Sequence, residues 1–258
     1  MSNYFDLIER YIYIENTSKS NYISSFNISD KQKDILNKLE TEKYLCIKKS
    51  RQVGVTTIIC IHIAIKMIES YLLNNRESII MIVPNGSVGK IYTHKILRNI
   101  KYLMYLYPDI NITANSKYLI KLNNGSFCKI ILNDTCLHGI SPTRIFIDEA
   151  AYKKDIKILY KQVLGTLDHF HNITVYSTPN GKNNFFHDIY DDPLYYNIDY
   201  VWYHDPRFYE IKPKYGINGN YEHLLNKEHF KVCSKWFSSN FSICTEYEIR
   251  QNVLAEFI

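Results

Sequence analysis

Cysteine occurs without any spacing that its chemistry would need. The six residues, Cys46, Cys60, Cys128, Cys136, Cys233 and Cys244, include no Cys-x-x-Cys pair. That excludes a zinc ribbon and supplies no disulfide framework, and a reducing compartment is the expectation. The N-terminus, Met1-Ser2-Asn3-Tyr4-Phe5-Asp6, has no basic stretch ahead of an apolar core, so no secretory signal is expected. Long hydrophobic runs are missing too. The most apolar segment, residues 58–73, carries His62, Lys66 and Glu69 and is too short and too charged to span a bilayer. Repeats and low-complexity linkers are absent. What is there is a chain of 258 residues, 46% hydrophobic and 22% charged, the profile of a globular protein able to bury a core. A net charge of +5 permits contact with nucleic acid without demonstrating it. Tyrosine is abundant at 23 residues; A/T-rich codons explain that plainly, and base stacking is the functional alternative.

Alternating patterns predict strands over 44–49, 78–83, 145–148, 173–177 and 195–202, and helices over 56–73, 87–106, 155–167 and 185–190. Ser29-Asp30-Lys31-Gln32 opens another helix, with Ile35, Leu36 and Leu39 on its apolar face. Asn124-Gly125 predicts a hairpin between 117–122 and 127–132. Strands alternating with helices imply an α/β fold with a mostly parallel central sheet and helices on both faces. Residues 1–28 read as a leading arm. Two short helices, 227–237 and 245–257, form a small C-terminal lid subdomain, which divides the chain into 1–205 and 206–258. His204-Asp205 has no further partners in sequence and reads as a strand-end turn.

Three motifs carry chemistry. The first is Lys48-Lys49-Ser50-Arg51-Gln52-Val53-Gly54-Val55-Thr56-Thr57, between a strand and a helix. A tight loop there aims backbone N–H groups and a helix N-terminus at phosphates. In G-x-x-x-x-G-K-[ST] terms, Gly54 and Thr56 fit, but Val55 replaces the usual lysine. The second motif is a buried strand ending in Asp148-Glu149. Such a pair suits one carboxylate for a Mg²⁺ shell and one for the attacking water; the plain alternative is acids at the first turn of a helix. The third, Asn172 through Ser177 followed by Thr178-Pro179-Asn180-Gly181, ends a strand in hydroxyls and an amide. Its plain alternative is a strand and a turn.

Together and in this order, the motifs resemble the ATPase half of the large terminase subunit, the DNA-packaging motor of tailed phages and herpes-like viruses. The family's Ser-Arg-Gln-x-Gly-Lys-Thr-Thr loop is matched by Ser50 to Thr57, its Asp-Glu strand by Asp148-Glu149, and its Thr-Pro-Asn-Gly strand by Thr178 to Gly181. The hairpin Leu122-Asn123-Asn124-Gly125-Ser126-Phe127 matches a further family feature. The resemblance implies a P-loop NTPase fold that binds ATP and Mg²⁺ and hydrolyses ATP to move double-stranded DNA into a viral procapsid. It implies a portal protein and a small terminase subunit as partners, an oligomer when active, no membrane, and the host-cell cytoplasm as location. It implies roles too: Lys49 at the phosphates in place of the lysine missing at Val55, as in lambdoid relatives, Arg51 following the γ-phosphate, and Thr56 and Asp148 on the metal. Glu149 orients water, Gln32 reads adenine, Thr178 and Asn180 couple hydrolysis to movement, and Ser50, Gln52, Val53, Gly54, Val55 and Thr57 complete the nucleotide loop. His138 stands where many relatives have an arginine finger, which puts the source of that cation in doubt. The nuclease domain that usually follows has no residues here, so an ATPase-only version or a fragment is expected. Lys90, Lys95, Arg98 and Lys101 fit either a DNA-following face or a solvated one. A helicase-like ATPase, or a degenerate nucleotide-binding scaffold without turnover, remains an alternative.

Overall fold

The computed structural model describes residues 2–16, 22–132, 139–153, 155–165, 171–211 and 227–258. The leading arm is a helix, α1 (Ser2–Tyr11), and an antiparallel hairpin of β1 (Tyr13–Asn16) and β2 (Tyr22–Ser25). α2 (Asp30–Thr41) starts at a full capping box: Ser29 accepts from the Gln32 backbone, and the Gln32 side chain accepts from the Ser29 backbone. Then come β3 (Tyr44–Lys49), α3 (Val55–Leu72), β4 (Ser78–Ile82) and α4 (Gly86–Met104). β5 (Ile112–Ser116), β6 (Leu119–Leu122) and β7 (Phe127–Ile131) follow; Gly125, at φ +86°, turns β6 into β7. β8 (Arg144–Asp148), α5 (Ile156–Leu164), β9 (Asn172–Ser177), α6 (Phe185–Tyr190) and β10 (Tyr196–Tyr200) complete the α/β part.

The main sheet has eight strands in the order β10-β3-β9-β8-β4-β7-β6-β5. All pairings from β10 to β7 are parallel, and β6 and β5 add an antiparallel edge. Strand residues alternate between faces, and two separate clusters of buried side chains record it. Leu45, Ile47, Ile79, Met81, Phe146 and Tyr176 pack under α2, α3 and α4. Cys46, Ile80, Ile82, Ile145, Ile147, Ile173 and Val175 pack under α5 and α6. Each fully buried isoleucine of these runs contributes about 1.5–3 kcal/mol.

α3 is long and apolar enough by length and composition alone to cross a membrane, yet its burial places it in the core. Glu40 of α2 meets it: Lys66 pairs with that carboxylate at 2.7 Å, and the His62 ring nitrogen lies 3.5 Å from it. Burial, with Arg144 and Lys66 nearby, holds the His62 imidazole well below its usual pKa.

The C-terminal helices depart from expectation. The helix predicted over 227–237 is two, α7 (Lys227–Cys233) and α8 (Lys235–Phe241). Ser234 breaks it, its hydroxyl capping the Phe237 backbone and bonding the Phe208 carbonyl. The helix predicted over 245–257 is α9 (Glu246–Asn252), ended before the left-handed Ala255. These helices gather around Trp202, and Phe230, Phe237, Phe241 and Val253 join the cluster under α3 and α4.

His204-Asp205 is a turn with a structural task. The Asp205 carboxylate is fully buried and takes Arg207 at 2.9 and 2.6 Å and the Tyr200 hydroxyl at 2.6 Å. Arg207 also reaches the Asn27 carbonyl, and Tyr200 meets Ser29, so the end of β10 is tied to the start of α2. Burial works to raise the Asp205 pKa, but Arg207 and Tyr200 hold it below the carboxylate range. Asp205→Ala leaves the arginine unpaired and is expected to cost about 3 kcal/mol, the low end for a broken buried pair because Arg207 is partly exposed. The wild-type advantage is complete above about pH 4 and is lost as pH falls through the lowered native value. Urea unfolding of both proteins at pH 7 and pH 3 measures it, and an equal midpoint at pH 7 would rule it out.

Candidate active site

The registers of β3, β9 and β8 bring the motifs together. Lys48 pairs with Ser177, and Asp148 with Tyr176, so Lys49, Thr178 and Glu149 meet at the carboxyl ends of adjacent parallel strands, where α/β proteins bind ligands. The Lys49 ammonium, almost wholly buried, donates to Glu149 Oε1 at 2.8 Å and to Thr178 Oγ1 at 3.4 Å. Glu149 Oε2 accepts from Ser177 Oγ at 3.3 Å and the Thr178 backbone at 3.4 Å. Glu149 has φ +48°, a conformation costing about 1 kcal/mol or more for a residue with a Cβ. Lys48 faces away, 3.2 Å from Asp199 and over the rings of Tyr190 and Phe257.

After Lys49 the chain turns through Gln52, at φ +63°, and Gly54, at φ +86°. The positive φ favours glycine at 54, and a Cβ there would have to displace the Gln32 amide nitrogen, 2.8 Å away. No side chain caps α3, leaving its positive end directed into the loop. Val53 and Val55 are buried and anchor the loop, while Thr56 and Thr57 are half-buried.

Four residues predicted to meet nucleotide also make bonds within the protein. Gln32 is buried; its Nε2 donates to the Val53 carbonyl at 3.2 Å and its Oε1 accepts from Ser29. Its amide supports the loop from behind. Ser50 donates to the Val253 carbonyl and accepts from the Trp202 backbone at 3.1 Å. Arg51 is exposed and bonds Asn252 through its backbone at 2.8 Å and through Nε at 3.0 Å, rather than either site carboxylate. Asn180 is exposed and donates to the Ala151 carbonyl at 3.4 Å, linking the segments that follow β8 and β9.

Asp148 is fully buried. Burial, and then the charge of Glu149, push its carboxyl up to about 7 against the pull of Lys49. Oδ2 accepts from the Tyr92 hydroxyl at 2.5 Å, and Oδ1 has no hydrogen-bond partner among the described residues. Thr56 stands beside the same tyrosine hydroxyl. A threonine hydroxyl and a buried carboxylate with one unpartnered oxygen, both meeting the same tyrosine, fit a hard divalent cation such as Mg²⁺. Among the described residues no three of His, Cys, Asp or Glu are grouped so as to hold a metal ion, so phosphate oxygens and water would complete the shell, as is usual for Mg²⁺.

Tyr92 was not foreseen: nothing in α4 distinguishes one tyrosine on an amphipathic helix from any other. Its hydroxyl fixes the Asp148 carboxylate, as a positioning residue does for a ligand. Tyr92→Phe is expected to raise the Mg²⁺ concentration for half-maximal ATP turnover about tenfold at little cost in stability. A magnesium titration of phosphate release checks this, and an unchanged midpoint would remove Tyr92 from the site. Of the basic residues on α4, Lys90 and Lys101 are exposed, while Lys95 and Arg98 are half-buried and near enough to Cys60 to influence its thiol. His138 lies outside the described residues.

No family model matches the sequence, and no curated protein does. Solved structures do. An arginine-to-alanine mutant of the large terminase ATPase domain of Thermus phage P74-26 superposes with a TM-score of 0.66 at 14% identity, over 90% of this chain and 95% of that one. The fold is that of a large terminase ATPase domain. The HK97 bacteriophage large terminase matches with a TM-score of 0.58 at 17% identity, over 78% of this chain and 44% of that one. The large terminase of thermophilic bacteriophage D6E in complex with ADP matches at 0.52 and 13%, over 68% and 46%. The chain thus spans less than half of the HK97 and D6E terminases and nearly all of the isolated P74-26 ATPase domain. The terminase fold is a P-loop NTPase fold, and the eight-stranded, mostly parallel sheet is its centre.

Proposed function

We propose that this chain is the ATP-hydrolysing motor domain of a terminase large subunit, driving double-stranded DNA into a viral procapsid. The observation that carries the reading is the meeting of Lys49, Glu149 and Thr178 above Asp148, at the strand ends of a terminase ATPase fold. The N-terminus of α3, which no side chain caps, and the loop N–H groups receive the phosphates. Lys49 exchanges its carboxylate partner for a phosphate oxygen, a trade of one charge-assisted bond for another. Glu149, released and still held by Ser177 and Thr178, orients the attacking water. Thr56 and Asp148 would hold Mg²⁺, which would neutralise phosphate charge.

In this reading Thr178 senses the nucleotide and Asn180 passes the change to the segment after Glu149. Lys90 and Lys101 face DNA, the assembly is an oligomer on a portal protein with a small terminase subunit, and the host-cell cytoplasm is its place of work. The D6E relative holds ADP, which supports a nucleotide as ligand. The test is phosphate release from ATP by the purified chain with and without Mg²⁺ and duplex DNA. Turnover that needs Mg²⁺ and rises with DNA is expected. Nucleotide binding without release would leave a scaffold, and no binding at all would overturn the reading.

A further inference from the structure

Gln32 is only 1% exposed, and both ends of its amide are engaged. Oε1 accepts from the Ser29 backbone at 3.2 Å, and Nε2 donates to the Val53 carbonyl at 3.2 Å in a buried bond. The same nitrogen lies against Gly54, where a Cβ would sit 2.8 Å from it. Ser29 is fixed in turn. Its hydroxyl accepts from the Gln32 backbone at 3.3 Å and meets the Tyr200 hydroxyl at 3.3 Å, and Tyr200 is bonded to the buried Asp205. The amide is thus braced on the end of β10 and rests on the turn that starts α3.

That turn sets the direction of the loop's donors. In a planar trans peptide the C=O and the following N–H point opposite ways. A Val53 carbonyl drawn toward Gln32 therefore turns the Gly54 N–H away from α2. This N–H has no hydrogen-bond partner among the described residues, and free N–H groups at a helix start are what a phosphate binds. A base has no access to a side chain buried to this degree. To reach it, the base would have to break two bonds, and leaving a buried polar group unpaired costs more than one new hydrogen bond returns. We propose that Gln32 is a positioning residue for the phosphate loop, aiming the Gly54 N–H at the ligand's phosphates, and that it takes no part in recognising the base. The phosphate ligand rests on the ATPase reading above; the hold on the loop does not.

The test makes two measurements on wild type, Gln32→Glu and Gln32→Met. Glutamate serves in a capping box as glutamine does, so Gln32→Glu keeps the start of α2 and loses only the donor to Val53. Gln32→Met keeps the length without a charge, and carries the test if the glutamate variant does not fold. The first measurement, on the nucleotide-free chain, is hydrogen exchange of the Thr57 and Ile58 amides, which bond the Gly54 carbonyl at 3.0 and 3.2 Å. Exchange there should quicken about tenfold, the scale of one buried carbonyl left unpaired, while the amides of α5 exchange as in wild type. The second is calorimetric titration with the magnesium complexes of ATP, GTP and tripolyphosphate, the last having no base. All three should weaken by the same factor, again about tenfold. Weakening of ATP alone would make Gln32 a reader of adenine and overturn the proposal. Exchange at the wild-type rate in a folded variant would overturn it as well. A wild type that binds none of the three ligands, but whose loop amides quicken on substitution, upholds the hold on the loop and sinks the motor reading. ATP turnover with exchange and affinities indifferent to Gln32 does the reverse.

Discussion

Glu149→Gln should cut phosphate release by about a hundred- to ten-thousandfold, the usual worth of a positioned general base, while ATP still binds. The amide keeps the size of the carboxylate, so Ser177 and the Thr178 backbone still have an acceptor. What disappears is the charge that polarises water. Nucleotide affinity should stay level or rise, since Lys49 no longer gives up a carboxylate 2.8 Å away when phosphate arrives. Equilibrium binding of a fluorescent ATP analogue, with single-turnover phosphate release, separates the two effects. Turnover at the wild-type rate would take Glu149 out of the mechanism.

The second large effect concerns two adjacent lysines. Lys49→Ala should weaken ATP binding or turnover about ten- to a hundredfold, corresponding to about 1.5–3 kcal/mol for a charged hydrogen bond. Lys48→Ala should leave both nearly unchanged. The register of β3 sends their side chains to opposite faces: Lys49 to Glu149 and Thr178, Lys48 to Asp199 and two aromatic rings. Losing the partly exposed Lys48 contacts should lower stability by about 1 kcal/mol instead. Measuring Kd and melting temperature for both variants decides it. Equal effects on ATP from the pair would mean that the cation at the phosphates is neither.

The elements that place the chemistry were legible because their signals are local. Leu45 to Lys49, Ile145 to Asp148 and Ile173 to Ser177 are short apolar runs stopped by polar residues, and each is a strand ending where expected. β5 was not legible: Ile112-Thr113-Ala114-Asn115-Ser116 has a mostly exposed pattern and is a strand only because β6 pairs with it. The break at Ser234 was hidden because Phe230, Phe237 and Phe241 keep a helical period across it. In the site, the capping box at Ser29 and Gln32 was visible as a helix start, but sequence does not say that the Gln32 amide also reaches Val53. Tyr92 with Asp148, and Arg51 with Asn252, join residues 56 and 201 positions apart. Such contacts depend on how whole elements stack, which no local pattern encodes.

The bonds from Ser50 to Val253 and from Arg51 to Asn252 span 203 and 201 positions, and they bear on when the molecule becomes competent. During synthesis the loop leaves the ribosome together with β3 and α3, while its anchor is made about two hundred residues later. Chains are made at about 5–20 residues per second and long-range contacts form late. For some ten seconds or more on that scale, the nascent protein carries a phosphate loop without its fastening. The loop takes its observed form only once residues 252 and 253 have been made and have folded back onto it.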